Sequence, residues 1–206
     1  MFPWKKAGVI AGISLAAVGV LILGLWIFYA NVSWQTMKDL PLSEQEQRLK
    51  LIHAAEGWLG ANEDDGSHAP IIDLYNSQEI LPVDYTMNYT DSWCAAFVTV
   101  ASMGAELTDR IPAECGCERQ IGLLQEMGIW QEQDTFFPQP GDLIYYAWDE
   151  KPRGDCTGWA DHVGIVAGVR WPFVKVIEGN KEDAVGYRIV TVWNPTIRGY
   201  GTPDYS

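Results

Sequence analysis

A thiol, an imidazole and a carboxylate held within reach of one another can break an amide bond, and three stretches of this chain supply them. The first runs from Asp91 to Ser102 and reads Asp-Ser-Trp-Cys-Ala-Ala-Phe-Val-Thr-Val-Ala-Ser. Thr90, Asp91 and Ser92 are polar capping residues, Phe97, Val100 and Ala101 recur at helical spacing, and Gly104 supplies a stop. The pattern predicts a helix with Cys94 in its first turn. There the unpaired backbone N–H groups and the positive end of the dipole favour a thiolate, and the same amides can hold an oxyanion. Taken alone, a cysteine beside Trp93 and Ala95 reads as a small core hydrophobe; the other two stretches change that reading.

His162 opens a run of alternating residues, with Gly164, Val166 and Gly168 on its side and Val163, Ile165, Ala167 and Val169 on the other. The small residues on the histidine side leave room for the Cys94 helix to approach. On the next strand Val174, Val176 and Glu178 share a face, so a carboxylate stands where alternation calls for an apolar side chain. A buried acid is costly unless paired. If Arg170 to Pro172 form a three-residue loop, Val169 pairs with Phe173. Asn180 then falls opposite His162 and Glu178 opposite Gly164, both within side-chain reach of the imidazole. Cys94 as nucleophile, His162 as base and Glu178 or Asn180 as orienter form the arrangement of thiol acyl transfer.

The elements that must carry these residues can be read in order. Ser43 to Glu46 is a capping box opening a helix to about Leu59, with Leu51, Ile52, Ala55, Trp58 and Leu59 on one face and Gly60 at its end. Asn62 to His68 reads as a solvated acidic loop rather than a calcium site. His53 and His68 read as surface or helix-face residues. One or two helical turns follow at Pro70 to Asn76, and Ile121, Leu124 and Met127 mark another helix stopped at Gly128. From Gly141 the period becomes two, with strands at Asp142 to Trp148, His162 to Val169, Phe173 to Glu178 and Tyr187 to Trp193. Helices first and strands afterwards predict an α+β domain with an antiparallel sheet over residues 43–206.

Ahead of this domain, Ala7 to Ala30 carry 24 consecutive residues without a charge, enough to cross a bilayer as a helix. Phe28 precedes Tyr29 and Ala30, which is no small-x-small cleavage site, so the segment reads as a retained anchor rather than a signal peptide. Lys5 and Lys6 place residues 1–6 in the cytoplasm and the domain outside, across a linker at 31–42. Of the 14 basic residues these two belong to the tail, leaving 12 against 27 acidic ones in the exported part. That balance excludes nucleic acid as a natural partner and gives no attraction to polyanionic wall polymers. Four cysteines are few for a disulfide scaffold. An oxidising exterior would allow Cys115 or Cys117 to bridge Cys156, while the Cys-x-Cys spacing does not suit zinc.

Four motifs in order, Trp93-Cys-Ala-Ala-Phe97, Pro140-Gly-Asp142, Asp161-His-Val-Gly-Ile-Val166 and Ile177-Glu-Gly-Asn180, resemble the CHAP family of cysteine, histidine-dependent amidohydrolases/peptidases over about Ser43 to Tyr205. The resemblance implies a papain-like fold of the NlpC/P60-CHAP type, and a bacterial or phage peptidoglycan hydrolase. In it Cys94 is the nucleophile, His162 the general base, Glu178 the orienting residue and Asn180 a further polar member of the site. Some members carry an Asp-rich calcium loop before the cysteine, but Val83 to Thr90 hold only Asp84 and Asn88 in that role, so no metal or other cofactor is expected. The expected protein is a single-pass membrane hydrolase whose partners are peptidoglycan and, through residues 7–30, the bilayer. Its acidic surface favours an endopeptidase acting on cationic peptide ends over an N-acetylmuramoyl-L-alanine amidase. Two other readings stand beside it: an NlpC/P60-type γ-D-glutamyl endopeptidase, against which the Glu178-Gly-Asn180 element speaks, and a silent membrane-tethered wall-binding module. Tyr85 and Tyr89 are candidates for the second oxyanion donor, with core packing as the alternative. Trp148, Trp159 and Trp171 are candidates for lining a cleft, with packing again the alternative.

Overall fold

The computed structural model describes residues 34, 37, 39–132, 136–148 and 156–206. The elements below all belong to one compact unit, Gln35–Ser206. The expected tail 1–6 and anchor 7–30 lie outside the described residues, as does much of the linker. Among the described residues no helix is long and apolar enough to cross a membrane.

Among the described residues four α-helices, α1 (Leu42–Glu56), α2 (Ala69–Asn76), α3 (Cys94–Gly104) and α4 (Cys117–Glu126), pack against six strands. These are β1 (Trp130–Gln131), β2 (Leu143–Tyr146), β3 (His162–Arg170), β4 (Phe173–Lys181), β5 (Ala184–Thr191) and β6 (Ile197–Gly201). They form one sheet in the order β1-β6-β2-β3-β4-β5, every described pairing being antiparallel. The α+β class and its helices-then-sheet layout are as the pattern predicts. Strands β1 and β6 are not, because two and five residues are too short a window for period two to emerge.

Helix α3 is the centre of the packing. Residues Cys94 to Ser102 are all buried, which is why their sequence is apolar all round rather than striped. With Leu51 and Ile52 of α1, Ile71 and Tyr75 of α2 and Ile121 of α4, α3 forms one cluster with Val163, Ile165 and Ile177 of the sheet. A second cluster on the opposite sheet face holds Ile144, Tyr146, Val166, Val174 and Val176. The helix therefore lies on the Val163 face, not on the face of His162, Gly164 and Val166 as the small residues had suggested. The glycine that admits it is Gly179, where a Cβ would lie 2.4 Å from Cβ of Phe97 and 2.8 Å from the Trp93 ring.

Local ends differ from the predicted caps. Pro41 precedes α1 with no side-chain cap, so Ser43 does not cap it. Trp93 stands at the N-cap position of α3 without a capping bond, since the Asp91 carboxylate instead takes the Asn88 N–H and the Tyr85 hydroxyl. Gly104 is the last helical residue of α3, and the left-handed residue beyond it is Glu106.

The β3–β4 hairpin reaches the expected register by another route. Arg170 pairs with Phe173 and Val169 with Val174, a two-residue turn rather than three, and a bulge between Val166 and Gly168 then brings Ile165 opposite Ile177. One residue lost in the turn is restored at Ala167, so the half of the hairpin nearest His162 keeps the predicted alignment.

The Pro140-Gly-Asp142 motif anchors α1 to the sheet. Arg48 donates from Nη1 to the Pro140 carbonyl (2.9 Å) and to Asp142 Oδ1 (2.8 Å), and Asp142 Oδ2 accepts the Gln139 N–H. Gly141, at φ 92°, lies under Arg48, and its carbonyl accepts the Tyr205 hydroxyl.

Candidate active site

Three chain segments converge at the start of β3. Cys94 is the first residue of α3, and the first backbone bond there runs from the Phe97 N–H to the Trp93 carbonyl. The N–H groups of Cys94, Ala95 and Ala96 therefore precede the helical ladder. The sulfur is buried, 4% of Cys94 being exposed. The Cys117 thiol lies against it, the two Sγ atoms 3.5 Å apart, and the His162 side chain and the Val163 N–H are near enough to favour its charged form. His162 Nε2 lies 3.1 Å from Glu178 Oε2, which leaves Nδ1 as the ring nitrogen for the sulfur.

Glu178 is fully buried. Its carboxylate is held a second time by Arg188, whose Nε donates to both oxygens at 2.9 and 2.8 Å. Arg188 lies opposite Val176 on β5 and so reaches Glu178 diagonally, over the bare Gly186 that faces the acid. Gly164 makes the other half of this space, since a Cβ there would sit 2.7 Å from Cγ of Glu178 and 2.5 Å from Val176. The glycine predicted to admit a helix instead lets the carboxylate lean across the strand toward the imidazole.

The charges reinforce one another. A hydrogen bond from the Cys117 thiol, opposed by burial and helped by His162 and the Val163 N–H, holds Cys94 well below the ordinary thiol range. Burial works against a charged His162, but the Cys94 thiolate and the Glu178 carboxylate outweigh it and raise the imidazole to about 9. The site thus favours a thiolate–imidazolium pair, the reactive form of a cysteine nucleophile.

The four expected site residues divide here. Cys94, His162 and Glu178 come together; Asn180 does not join them. A second bulge, between Glu178 and Lys181, and a left-handed Asn180 (φ 56°) turn its side chain away, as a one-residue slip must. Its amide donates instead to Glu63 Oε1 at 2.9 Å, which also accepts Trp93 Nε1–H at 2.9 Å. Glu63 was expected in a solvated loop, yet it ties Trp93, the residue before Cys94, to the end of β4. His68, read as a surface or helix-face residue, stands directly before α2 and is buried against Trp93, with ring centroids 5.7 Å apart and its nitrogens at the Asn62 and Tyr89 carbonyls.

Asp161, next to His162 in the chain, accepts the Trp148 N–H. The hydroxyls of Tyr85 and Tyr89 are exposed and donate to Asp91 and Asp73, so neither packs in the core. Trp148 reaches the site, stacked on Tyr146 and 5.9 Å from the His162 ring, with the Arg188 guanidinium 5.1 Å over its face. Trp159 is exposed three residues before His162, while Trp171 packs edge-on to Trp193 at the far end of the hairpin. No disulfide joins the cysteines, so the bridge from Cys115 or Cys117 to Cys156 that an oxidising exterior would allow is not formed, and Cys117 lies against Cys94. Arg188, Glu63 and this use of Cys117 were missed. Arg188 alone had a legible signal, a cation in the strand following a buried acid.

No protein-family model and no curated protein matches the chain. Among solved structures it is similar to that described as "The crystal structure of Ly7917", at 14% sequence identity and a TM-score of 0.41. The match covers 76% of this chain and 62% of that one, so it spans less than two thirds of the other chain's length.

Proposed function

We propose that the domain is a thiol-dependent amidohydrolase or peptidase with a papain-like arrangement, of the CHAP type, acting on peptidoglycan. The observation that supports the chemistry is the convergence of Cys94, His162 and Glu178, all buried, with the imidazole bonded to the carboxylate and acting on the thiol to favour its charged form. The Cys94 thiolate attacks an amide carbonyl, and the backbone N–H groups at the start of α3 face the charge that develops on its oxygen. The His162 imidazolium gives its proton to the departing amine. The resulting neutral imidazole then takes a proton from the water that hydrolyses the thioester. Glu178, fixed by Arg188, holds the ring and stabilises its charged form.

The wall substrate rests on the four sequence motifs and on an uncharged N-terminal stretch that would hold the domain outside the membrane. Within that substrate, the excess of acidic residues favours a peptide bond near a cationic amino group, with the bond between muramic acid and alanine as the rival. Digesting purified peptidoglycan with the reduced protein and reading the products by mass spectrometry tests both. New amino ends on peptide-bearing muropeptides support the endopeptidase. Glycan strands stripped of peptide select the amidase, and no release from any wall type by the folded protein favours a silent binding module.

A further inference from the structure

We infer that Cys94 and Cys117 form a redox-active dithiol, in which Cys117 captures the nucleophile as a reversible disulfide and so switches the proposed hydrolase off. The regulatory half of this inference rests on the function proposed above; the dithiol itself does not.

The two sulfurs lie 3.5 Å apart, and each residue opens a helix, α3 and α4. Closing to a disulfide length of about 2.0 Å requires the atoms to approach by roughly 1.5 Å. Their juxtaposition is built by the chain around them. Thr99, inside α3, donates its hydroxyl to the Glu114 carbonyl and accepts the Glu114 N–H, at 2.9 and 3.0 Å. The buried Glu114 carboxylate then gathers the N–H groups of Cys115 and Gly116 and the Arg119 guanidinium. On the other side of Cys117, Glu118 accepts the Ala160 N–H, two residues before His162. The turn that carries Cys117 is therefore pinned both to the nucleophile's helix and to the strand entrance that carries the base. Cys115, two residues away, turns to Arg119 instead.

The chemistry needs an oxidant of the disulfide class, such as oxidised glutathione. The Cys94 thiolate attacks one sulfur of the oxidant, forming a mixed disulfide and expelling one thiolate. The Cys117 sulfur then attacks Cys94, breaking the mixed disulfide and expelling the second thiolate. Cys117 gives up its proton and His162 gives up its imidazolium proton, one to each leaving thiolate. The two cysteines lose two electrons, the oxidant gains them, and the product is a neutral disulfide beside a neutral imidazole. A dithiol reductant reverses every step.

The test equilibrates the full chain in glutathione buffers of graded ratio, followed by acid quench, alkylation and peptide mapping under non-reducing conditions. The expected product is a Cys94–Cys117 linked peptide pair that grows with the oxidised fraction and disappears with dithiothreitol. In Cys117→Ser, oxidation stops at a glutathione adduct on Cys94, whereas Cys115→Ser still forms the link. Wild type alone is decisive if the Cys117 variant does not fold. Glutathione adducts at Cys94 with no linked pair, or a link to Cys115 or Cys156 instead, would overturn the assignment. Wall hydrolysis measured on the same samples should fall in proportion to the linked fraction. Undiminished hydrolysis by fully linked protein would refute the switch, while a link formed by protein that is inactive even when reduced would support the dithiol and count against the hydrolase.

Discussion

Each member of the Cys94, His162, Glu178 and Arg188 chain determines the state of the one before it. Glu178 is buried and would be costly as an isolated charge, but it is held by the guanidinium on one side and the imidazole on the other. Glu178→Gln keeps the shape and removes the charge, so kcat/KM is expected to fall about 10- to 1,000-fold with small loss of stability. Parallel kinetics and thermal melts check this, and full activity in that variant would assign the orienting role elsewhere. The pH profile follows from the same contacts. The depressed thiol places the acid limb well below the ordinary cysteine range, and activity is lost on the alkaline side as His162 deprotonates near about 9. Because that value lies above the unfolded histidine's ordinary 6.5, the stability His162 contributes is complete below 6.5 and fades as pH rises through about 9. Glu178→Gln removes one of the interactions that raise the imidazole, and should move the alkaline limb to lower pH.

Two glycines decide how the elements meet. Gly164 gives its side-chain space to Glu178, and Gly179 gives its space to Phe97 and Trp93 of α3. Gly164→Ala should displace the carboxylate, lowering kcat/KM and, unlike Glu178→Gln, also destabilising the fold by about 1–3 kcal/mol; denaturant titration with kinetics reads both. Gly179→Ala should cost a similar amount by pushing α3 off the sheet. The sequence shows how much of this was legible. Apolar spacing announced α3, and alternation put His162 and Glu178 on one face, because both are local periodicities. The bulges at Ala167 and beyond Glu178 were not legible, since a bulge is set by pairing with a strand distant in sequence. They had opposite effects, the first preserving the alignment of Glu178 and the second carrying Asn180 away. Glu63 was hidden for a related reason: a loop acid looks solvated until the strand end and indole that it ties together are known.

At the scale of the molecule, the domain is held to its site by contacts far from it. Arg48 joins α1 to Asp142 at the start of β2 through a nearly dry ion pair, with Tyr205 packed 4.5 Å beneath the guanidinium. Burial pushes Asp142 up and Arg48 only partly offsets it, so Arg48→Ala leaves an unpaired buried acid. A loss of about 3–5 kcal/mol is expected by chemical denaturation. The uncharged stretch from Ala7 to Ala30 carries the topological proposal. Protease added to intact protoplasts should remove the domain and leave a small membrane-bound fragment, whereas protection until lysis would place the domain inside. The central claim, that Cys94 carries the acyl group of a wall peptide, is tested most directly by trapping it. Reduced protein mixed with purified peptidoglycan and quenched in acid should yield, on peptide mapping, a Cys94 peptide bearing the mass of an acyl fragment of the wall. That adduct should be absent from Cys94→Ser, which should also release no product; wall cleavage undiminished in Cys94→Ser, with no adduct on the wild-type thiol, would contradict the account.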